Sequence, residues 1–493
     1  MNDPVSLAPM HAFSSSGHRS PAYAFYGDDF TGATDTLAHL ARAGLRTMLF
    51  VEAPDAARLA QFGPGRAYDA LDAIGVAGIA RALAPSEMHA ELTRVGACFA
   101  SLGVRLMHYK VCSTFDSAPQ TGSIGVAVNT LRAHFPNPLV AIVGGQPNLK
   151  RYCVFGQLFA SAGGDEIFRI DRHPTMSHHP VTPMNEADLR VHLQRQGLAD
   201  VRSIDWRIYA QAPHALDSAV AHALEAKPDA LLFDVLDDAH LTHIGRTMTA
   251  HAAHAPLLAV GPSSVAHAYA DAVRASAPSS ANEAADAPDT STMQAADGPV
   301  FVLAGSLSPA TAAQIGAAQS YTHVELDPSR MTGAAAHAYL DEQTATIAAM
   351  LRDGRHVLAF TRRMRSTHAD NGARDDADAG RNALAIACAH LLKTVLGQVR
   401  LRRIGIAGGD TSSFAIHALD VWGLSYLSTL APGVAMCRLH ADRADLDGIE
   451  VMLKGGQMGG TDLFERLLPR TCDARPRAPR SDCLTTMAPA HPE

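Results

Sequence analysis

The chain has 493 residues, 47% of them apolar and 18% charged, and carries a net charge of −8. That length exceeds one ordinary domain and supplies apolar residues for two cores, while the acidic balance and the lack of a basic stripe exclude a general nucleic-acid surface. Seven scattered cysteines without a CxxC pair exclude a disulfide framework or structural zinc site; no apolar run is long enough to span a membrane, so a reducing, cytoplasmic setting is expected.

Residues 1–20 have no periodicity and are expected to form a loose tail. The run AYAFY then reads as a strand. It leads into Gly27-Asp28-Asp29-Phe30-Thr31-Gly32-Ala33-Thr34-Asp35, with Leu37, Leu40 and Ala41 at helical spacing and Gly44 as a C-terminal cap. Two carboxylates therefore stand at a strand's carboxyl end. Adjacent aspartates also serve as helix caps and dipole partners, but the tight Gly-Asp-Asp and Thr-Gly pattern favours a site. A haloacid-dehalogenase nucleophile would need Asp-x-Asp, and here the acids are adjacent.

His108-Tyr109-Lys110-Val111-Cys112-Ser113-Thr114 ends another strand with a lysine and two hydroxyls, a set suited to a carboxylate or polyol; the plainer reading is a surface lysine and a capping serine. Gly122-Ser123-Ile124-Gly125 opens a helix. After the strand LVAIV, the segment Gly144-Gly145-Gln146-Pro147-Asn148-Leu149-Lys150-Arg151 is a third element of this constellation, with a mere turn as the plainer reading, and His173, His178 and His179 read as part of a solvated loop. ALLFDVL and LLAV are further strands. Ser276 to Gly298, nearly devoid of large apolar residues, reads as a linker. The expected organisation is a tail (1–20), an N-terminal domain (21–275), a linker (276–298), a C-terminal domain (299–469) and a second tail (470–493).

In the second half the run FVLA enters Ala304-Gly305-Ser306-Leu307-Ser308-Pro309, and IGIA enters Gly408-Gly409-Asp410-Thr411-Ser412-Ser413. Each is a buried strand followed by glycines, hydroxyls and a helix start, so free N–H groups and the positive helix end converge where an anion would sit. Together they suggest a nucleotide, although either alone also reads as an ordinary cap or turn. Between them HVLAF is a strand and Arg365 to Arg381 an exposed loop. There is no GxxxxGK[ST] and no GxGxxG, which excludes a P-loop enzyme and demotes a dinucleotide dehydrogenase. The alternation of strands and helices predicts an α/β fold: two domains with mainly parallel sheets flanked by helices, and binding sites at the carboxyl ends of the strands.

These blocks resemble the four-carbon acid sugar kinase family, whose pattern is met in order from Tyr23 to Leu467. Asp28 to Asp35 match its DD-x-TGA-x-D segment, Ala80-Arg81 a strand-end Ser-Arg, and Lys110 to Gly125 part of K-x-D-S-T-x-R-G-N-I-G. Lys150-Arg151 fall near GR-T, and Thr182 to Leu189 match TP-x-x-E-x-D-L. Gly305 to Pro309 match GS-x-SP, Gly408 to Ser412 match GGDTS, and Lys454 to Gly459 match K-x-G-x-x-G. The resemblance implies ATP as cofactor in the C-terminal domain, a small sugar acid as substrate in the N-terminal domain, and an active site in the cleft between the two; the chemistry of phosphoryl transfer adds Mg²⁺ on the phosphate oxygens, with Asp410 or waters as ligands. It implies that Asp28, Asp29, Arg81, Lys110, Ser113 and Thr114 face the acid. Ser306, Gly408, Gly409, Asp410, Thr411, Ser412 and Gly456 would hold the nucleotide. Asp29 is the expected base, with Asp28 second; Arg81 and Lys110 are expected to clamp the acid's carboxylate.

Two departures bear on the substrate. Cys112 stands where the family has Asp before Ser-Thr, and Asp116-Ser117-Ala118-Pro119-Gln120-Thr121 lengthens the loop before Gly122. This variant is similar to the subgroup that phosphorylates 3-oxo-isoapionate, with 3-oxo-tetronate, threonate and erythronate kinases as alternatives. A homodimer is compatible with the sequence. Readings from other classes are a sugar-acid lyase using Lys110 as a Schiff base, and a non-catalytic sensor.

Overall fold

The computed structural model describes residues 20–163, 165–179, 181–212, 214–276, 298–305, 308–333, 335–362 and 374–468. Both tails, the linker between 277 and 297, and Ser306 lie outside the described residues. In the N-terminal half eight parallel strands form: β1 (Tyr23–Gly27), β2 (Thr47–Phe50), β3 (Ala73–Ala77), β4 (Leu106–Lys110), β5 (Val140–Val143), β9 (Val201–Ile204), β10 (Ala230–Phe233) and β11 (Leu257–Gly261). β6 (Arg151–Val154), β7 (Gln157–Ser161) and β8 (Ile167–Arg169) form a separate antiparallel sheet. The C-terminal half adds β12 (Val300–Ala304), β13 (Thr322–Leu326), β14 (Val357–Thr361), β15 (Arg403–Ala407), β16 (Gly423–Ala431), β17 (Val434–His440) and β18 (Glu450–Lys454).

Fifteen of these strands make one sheet, in the order β13-β14-β12-β15-β18-β17-β16-β2-β3-β1-β4-β11-β5-β10-β9. Most pairs are parallel. β1, β4, β11, β12 and β15 are buried along their whole length, because helices cover both faces, and so β1, β11 and β12 read as apolar runs while β4 and β15 bury His108, Lys110 and Arg403 as well. The exception is the seam, where β16 is antiparallel to both β17 and β2 and meets β2 through only Gly423↔Phe50 and Leu424↔Leu49. Trp422 packs on Phe50 and Tyr68 at 5.9 and 5.5 Å, with the Arg58 guanidinium 4.4 Å above its ring. The helix Phe30–Arg42 crosses the seam to touch β16, β17 and β18, and Phe30 meets His417 edge-on at 5.2 Å. Consequently the largest apolar cluster is common to both halves: Phe30, Leu37 and Leu231 share it with Ile416, Leu424 and Leu453.

Two sequence readings change. The segment from Arg365 to Arg381 is not all loop, for a helix spans Arg374–Gln398; residues 363–373 lie outside the described set. His173 is buried rather than solvated: its Nδ1 accepts from the Thr175 and Met176 N–H groups, and burial pushes its pKa down.

Candidate active site

A cleft of about 510 Å³ opens where the two halves meet, lined by residues of both. On the N-terminal side, β1 ends at Gly27 and delivers Asp28 and Asp29. The Asp28 N–H donates to the Lys110 carbonyl (3.0 Å), which fixes the ends of β1 and β4 side by side. Asp29 caps the helix Phe30–Arg42, accepting from Gly32 N–H at 2.7 Å and from the Thr31 hydroxyl at 3.2 Å. Gly32 is required: a Cβ there would lie 1.6 Å from Lys110 Nζ.

Arg81, just past β3, holds both acids. Its Nε and Nη2 bind Asp28 at 3.1 and 2.8 Å in a fork, and Nη1 reaches Asp29 at 2.7 Å. Lys110 Nζ stands 3.9 Å from Asp28 and 3.7 Å from Asp29. The two carboxyls are driven apart in acidity. Burial raises Asp28, and Arg81 and Lys110 offset this only in part. Burial also acts upward on Asp29, but Arg81, Lys110, the Gly32 N–H and the Thr31 hydroxyl outweigh it and hold the group at about 2. The lengthened loop packs over Arg81: Gly122, at φ +61°, comes so close that a Cβ would lie 2.6 Å from the Arg81 carbonyl. Within that loop Cys112 Sγ contacts Thr114 Oγ1 (2.9 Å), which donates to Asp116 (2.5 Å). Burial and the Asp116 charge raise the Cys112 thiol to about 11.

On the C-terminal side, β15 ends at Ala407, and Gly408, with a φ of +126°, turns the chain into the helix Gly409–Ala418. Gly409, Asp410, Ser413 and Phe414 face the cleft, as do Gly455 and Gly456 after β18. The loop 455–460 is fastened from below. Lys454, fully buried, donates from Nζ to Thr311 Oγ1 (2.8 Å), Gln314 Oε1 (2.6 Å) and the Gly456 carbonyl (3.4 Å). Gln314 Nε2 donates to the carbonyls of Met458, Gly459 and Gly460, and Ser308 Oγ to that of Gly456. Burial alone lowers the Lys454 amine to about 8.

Of the residues read from sequence, Asp28, Asp29, Arg81, Lys110, Ser113, Thr114, Gly409, Asp410 and Gly456 line this one cleft. Gly408, Thr411 and Ser412 do not: Thr411 packs against Gly305, where a Cβ would lie 2.2 Å from its hydroxyl, and Ser412 Oγ is buried without a partner. Gln146 and Arg151 also line the cleft; the sequence singled out their segment but not these two side chains as site residues. Both follow the carboxyl end of β5, the position from which open α/β sheets bind ligands. Among the described residues no group of three or more His, Cys, Asp or Glu is placed to hold a metal ion, and no helix is long and apolar enough to cross a membrane.

A mainly parallel two-domain α/β fold, with paired carboxylates facing a glycine-lined helix start across a cleft, defines the phosphotransferase class. Residues 23–269 match the Sugar-binding N-terminal domain and residues 301–464 the Nucleotide-binding C-terminal domain. The chain belongs to the four-carbon acid sugar kinase family and is a sugar-acid kinase. It is 37% identical to a 3-oxo-isoapionate kinase of Paraburkholderia graminis, over 90% of this chain and 93% of that one. It is 29% identical to a 3-oxo-tetronate kinase of Cupriavidus necator, over 92% and 97%. Crystal structures from Salmonella typhimurium LT2 (TM-score 0.68, 20% identical, 91% and 98% covered) and Haemophilus influenzae (TM-score 0.62, 22% identical, 90% and 98% covered) share the fold. The lyase and sensor readings are set aside by this membership.

Proposed function

We propose that ATP is the phosphoryl donor and that the acceptor is 3-oxo-isoapionate, which becomes the 4-phosphate. The observation that carries the substrate is the 37% identity to the Paraburkholderia graminis 3-oxo-isoapionate kinase, against 29% to a 3-oxo-tetronate kinase. Cys112 in place of the usual Asp supports the same reading. The free thiols of Cys98, Cys112, Cys153, Cys388 and Cys437 suit a cytoplasmic protein.

Transfer of a phosphoryl group needs an aligned hydroxyl and neutralised phosphate charge, and little covalent help. The N–H groups at the start of the helix Gly409–Ala418 and the bare backbone at Gly455 and Gly456 receive the phosphates. Asp28 takes the proton of the attacking hydroxyl. The sequence favours Asp29 by position, but a carboxyl held at about 2, capping a helix, is a weak base; the upward shift of Asp28 suits the task. Arg81 keeps both acids in place. Mg²⁺ would supply charge neutralisation on the phosphates, and Asp410 is the carboxylate facing the cleft from the nucleotide side that fits it, together with waters.

The test is an ADP-release screen over 3-oxo-isoapionate, 3-oxo-tetronate, threonate and erythronate. The highest kcat/KM is expected for 3-oxo-isoapionate; a preference for any of the other three would overturn the assignment.

A further inference from the structure

The cleft is lined by five aspartates (28, 29, 35, 116 and 410) and three cations (Arg81, Lys110 and Arg151). An organic acid entering it meets a surplus of negative charge, so its carboxylate needs a cation that is not already engaged. Arg81 is engaged: its fork is filled by Asp28 and its third nitrogen by Asp29. Lys110 lies within ion-pair reach of the same two carboxylates. These four charges sum to zero.

Arg151 differs. It forms no ion pair among the described residues. Its Nη1 donates to the carbonyl of Leu149, two residues back, and its Nε is buried with no partner at all. Burial pushes its pKa down, as it does for a cation in want of a counter-ion. The position is built by the backbone. β5 ends at Val143, Gly144 and Gly145 admit close passage beside Cys153 and Val235, and Lys150 at φ +57° turns the chain so that Arg151 pairs back on Gln146. Gln146 Nε2 is spent on Asp35 (3.0 Å), which keeps that carboxylate engaged. Cys112, Ser113 and Thr114 line the same cleft, and Cys112 is near enough to Arg151 to act on its charge.

We infer that Arg151 is the anchor for the substrate's carboxylate, binding it through the planar fork, and that Arg81 and Lys110 serve the aspartate pair instead. This rests on the sugar-acid reading above. A part-buried guanidinium with a buried, unpartnered Nε is an incomplete ion pair, and an organic acid of this size completes it.

The experiment compares wild type with Arg151→Met and Arg151→Lys. Steady-state kinetics with 3-oxo-isoapionate, calorimetric binding of threonate and of ADP, and thermal melting are read for each. Arg151→Met is expected to raise the KM for the acid, and the Kd for threonate, by about 10²-fold, the order of a lost charged hydrogen-bond pair. Arg151→Lys should restore about a tenth of that loss, since an ammonium lacks the fork. ADP affinity and kcat should stay within about twofold of wild type, and the melting temperature of Arg151→Met should not fall. A structural arginine would instead lower the melting temperature, and a phosphate-binding one would weaken ADP; either result overturns the inference. If wild type phosphorylates no sugar acid yet binds threonate, and Arg151→Met abolishes that binding, the kinase substrate reading fails while the anchor stands. No threonate binding and no turnover by wild type would sink both.

Discussion

The two walls of the cleft are built in opposite ways. The N-terminal wall is made of charged side chains, with Asp28, Asp29, Arg81 and Lys110 knotted together at the ends of β1, β3 and β4. The C-terminal wall relies more on backbone: Gly409 opens a helix there, and Gly455-Gly456 are presented by a buried clasp of Lys454, Thr311, Gln314 and Ser308 that stays behind the surface. A wall of side chains is open to re-aiming by single substitutions, whereas a backbone wall is less so. The contrast teaches that acceptor choice and donor grip are separable, and substitutions can divide them.

The deepest break is expected from Asp28→Asn, which removes the proposed base. Turnover should fall by ~10²–10⁴-fold with ADP affinity unchanged, read by steady-state kinetics and calorimetry. Asp29→Asn keeps a good cap and should lose less; a larger fall for Asp29→Asn would exchange the two roles. On the opposite wall, Gly409→Val is the sharper probe. An added Cβ at Gly409 meets nothing within 4 Å, so the fold should tolerate it. The nucleotide KM should rise about 10-fold or more, ~1.4 kcal/mol, while the acid's KM stays put.

Behind that wall, Lys454→Met strips the clasp of its donor and should destabilise the fold by ~1–3 kcal/mol through Thr311, Gln314 and Gly456 left unmatched, measured by denaturant titration. Its pH signature has a defined sign. The Lys454 amine titrates at about 8 in the fold and at 10.5 ordinarily, so between these values the unfolded chain binds more protons. Raising the pH through this window therefore increases this residue's contribution to stability. Over the same window the neutral amine loses a donor and loosens the 455–460 loop, so the nucleotide KM should climb several-fold from pH 7 to 9. Lys454→Met should flatten both trends. The smallest effect is expected for Cys112→Asp, which restores the family's usual residue beside Asp116. It should shift the preference between 3-oxo-isoapionate and 3-oxo-tetronate by a few fold, and no change would remove Cys112 from selectivity.

Much of this was legible in the sequence, because fully buried parallel strands print as apolar runs. AYAFY, LVAIV, ALLFDVL, FVLA and IGIA became β1, β5, β10, β12 and β15, and the residues after β1, β4 and β15 meet in the cleft. Strands with polar residues escaped: β9 (VRSI) and β13 (THVEL) carry no such run, and β3 (AIGVA) went unread although it is as buried and apolar as IGIA. The antiparallel seam of β16 to β18 was hidden too, since nothing local encodes which distant edge a strand will join. Pairing was the other blind spot. Arg81 and Lys110 had the right chemistry for a carboxylate, but only three-dimensional proximity reveals that the carboxylates they hold include the protein's own, and that Arg151 is the cation left over.

The narrow seam has one more outcome. Since two residue pairs of β2 and β16, one crossing helix and the Trp422 cluster join the halves, while the covalent connection runs through 277–297, the polypeptide could be severed in that connection without parting the pieces. Co-expressed fragments ending and beginning there should reassemble into a working enzyme, whereas the front fragment alone, with its β2 edge bare and Phe30 uncovered, should aggregate.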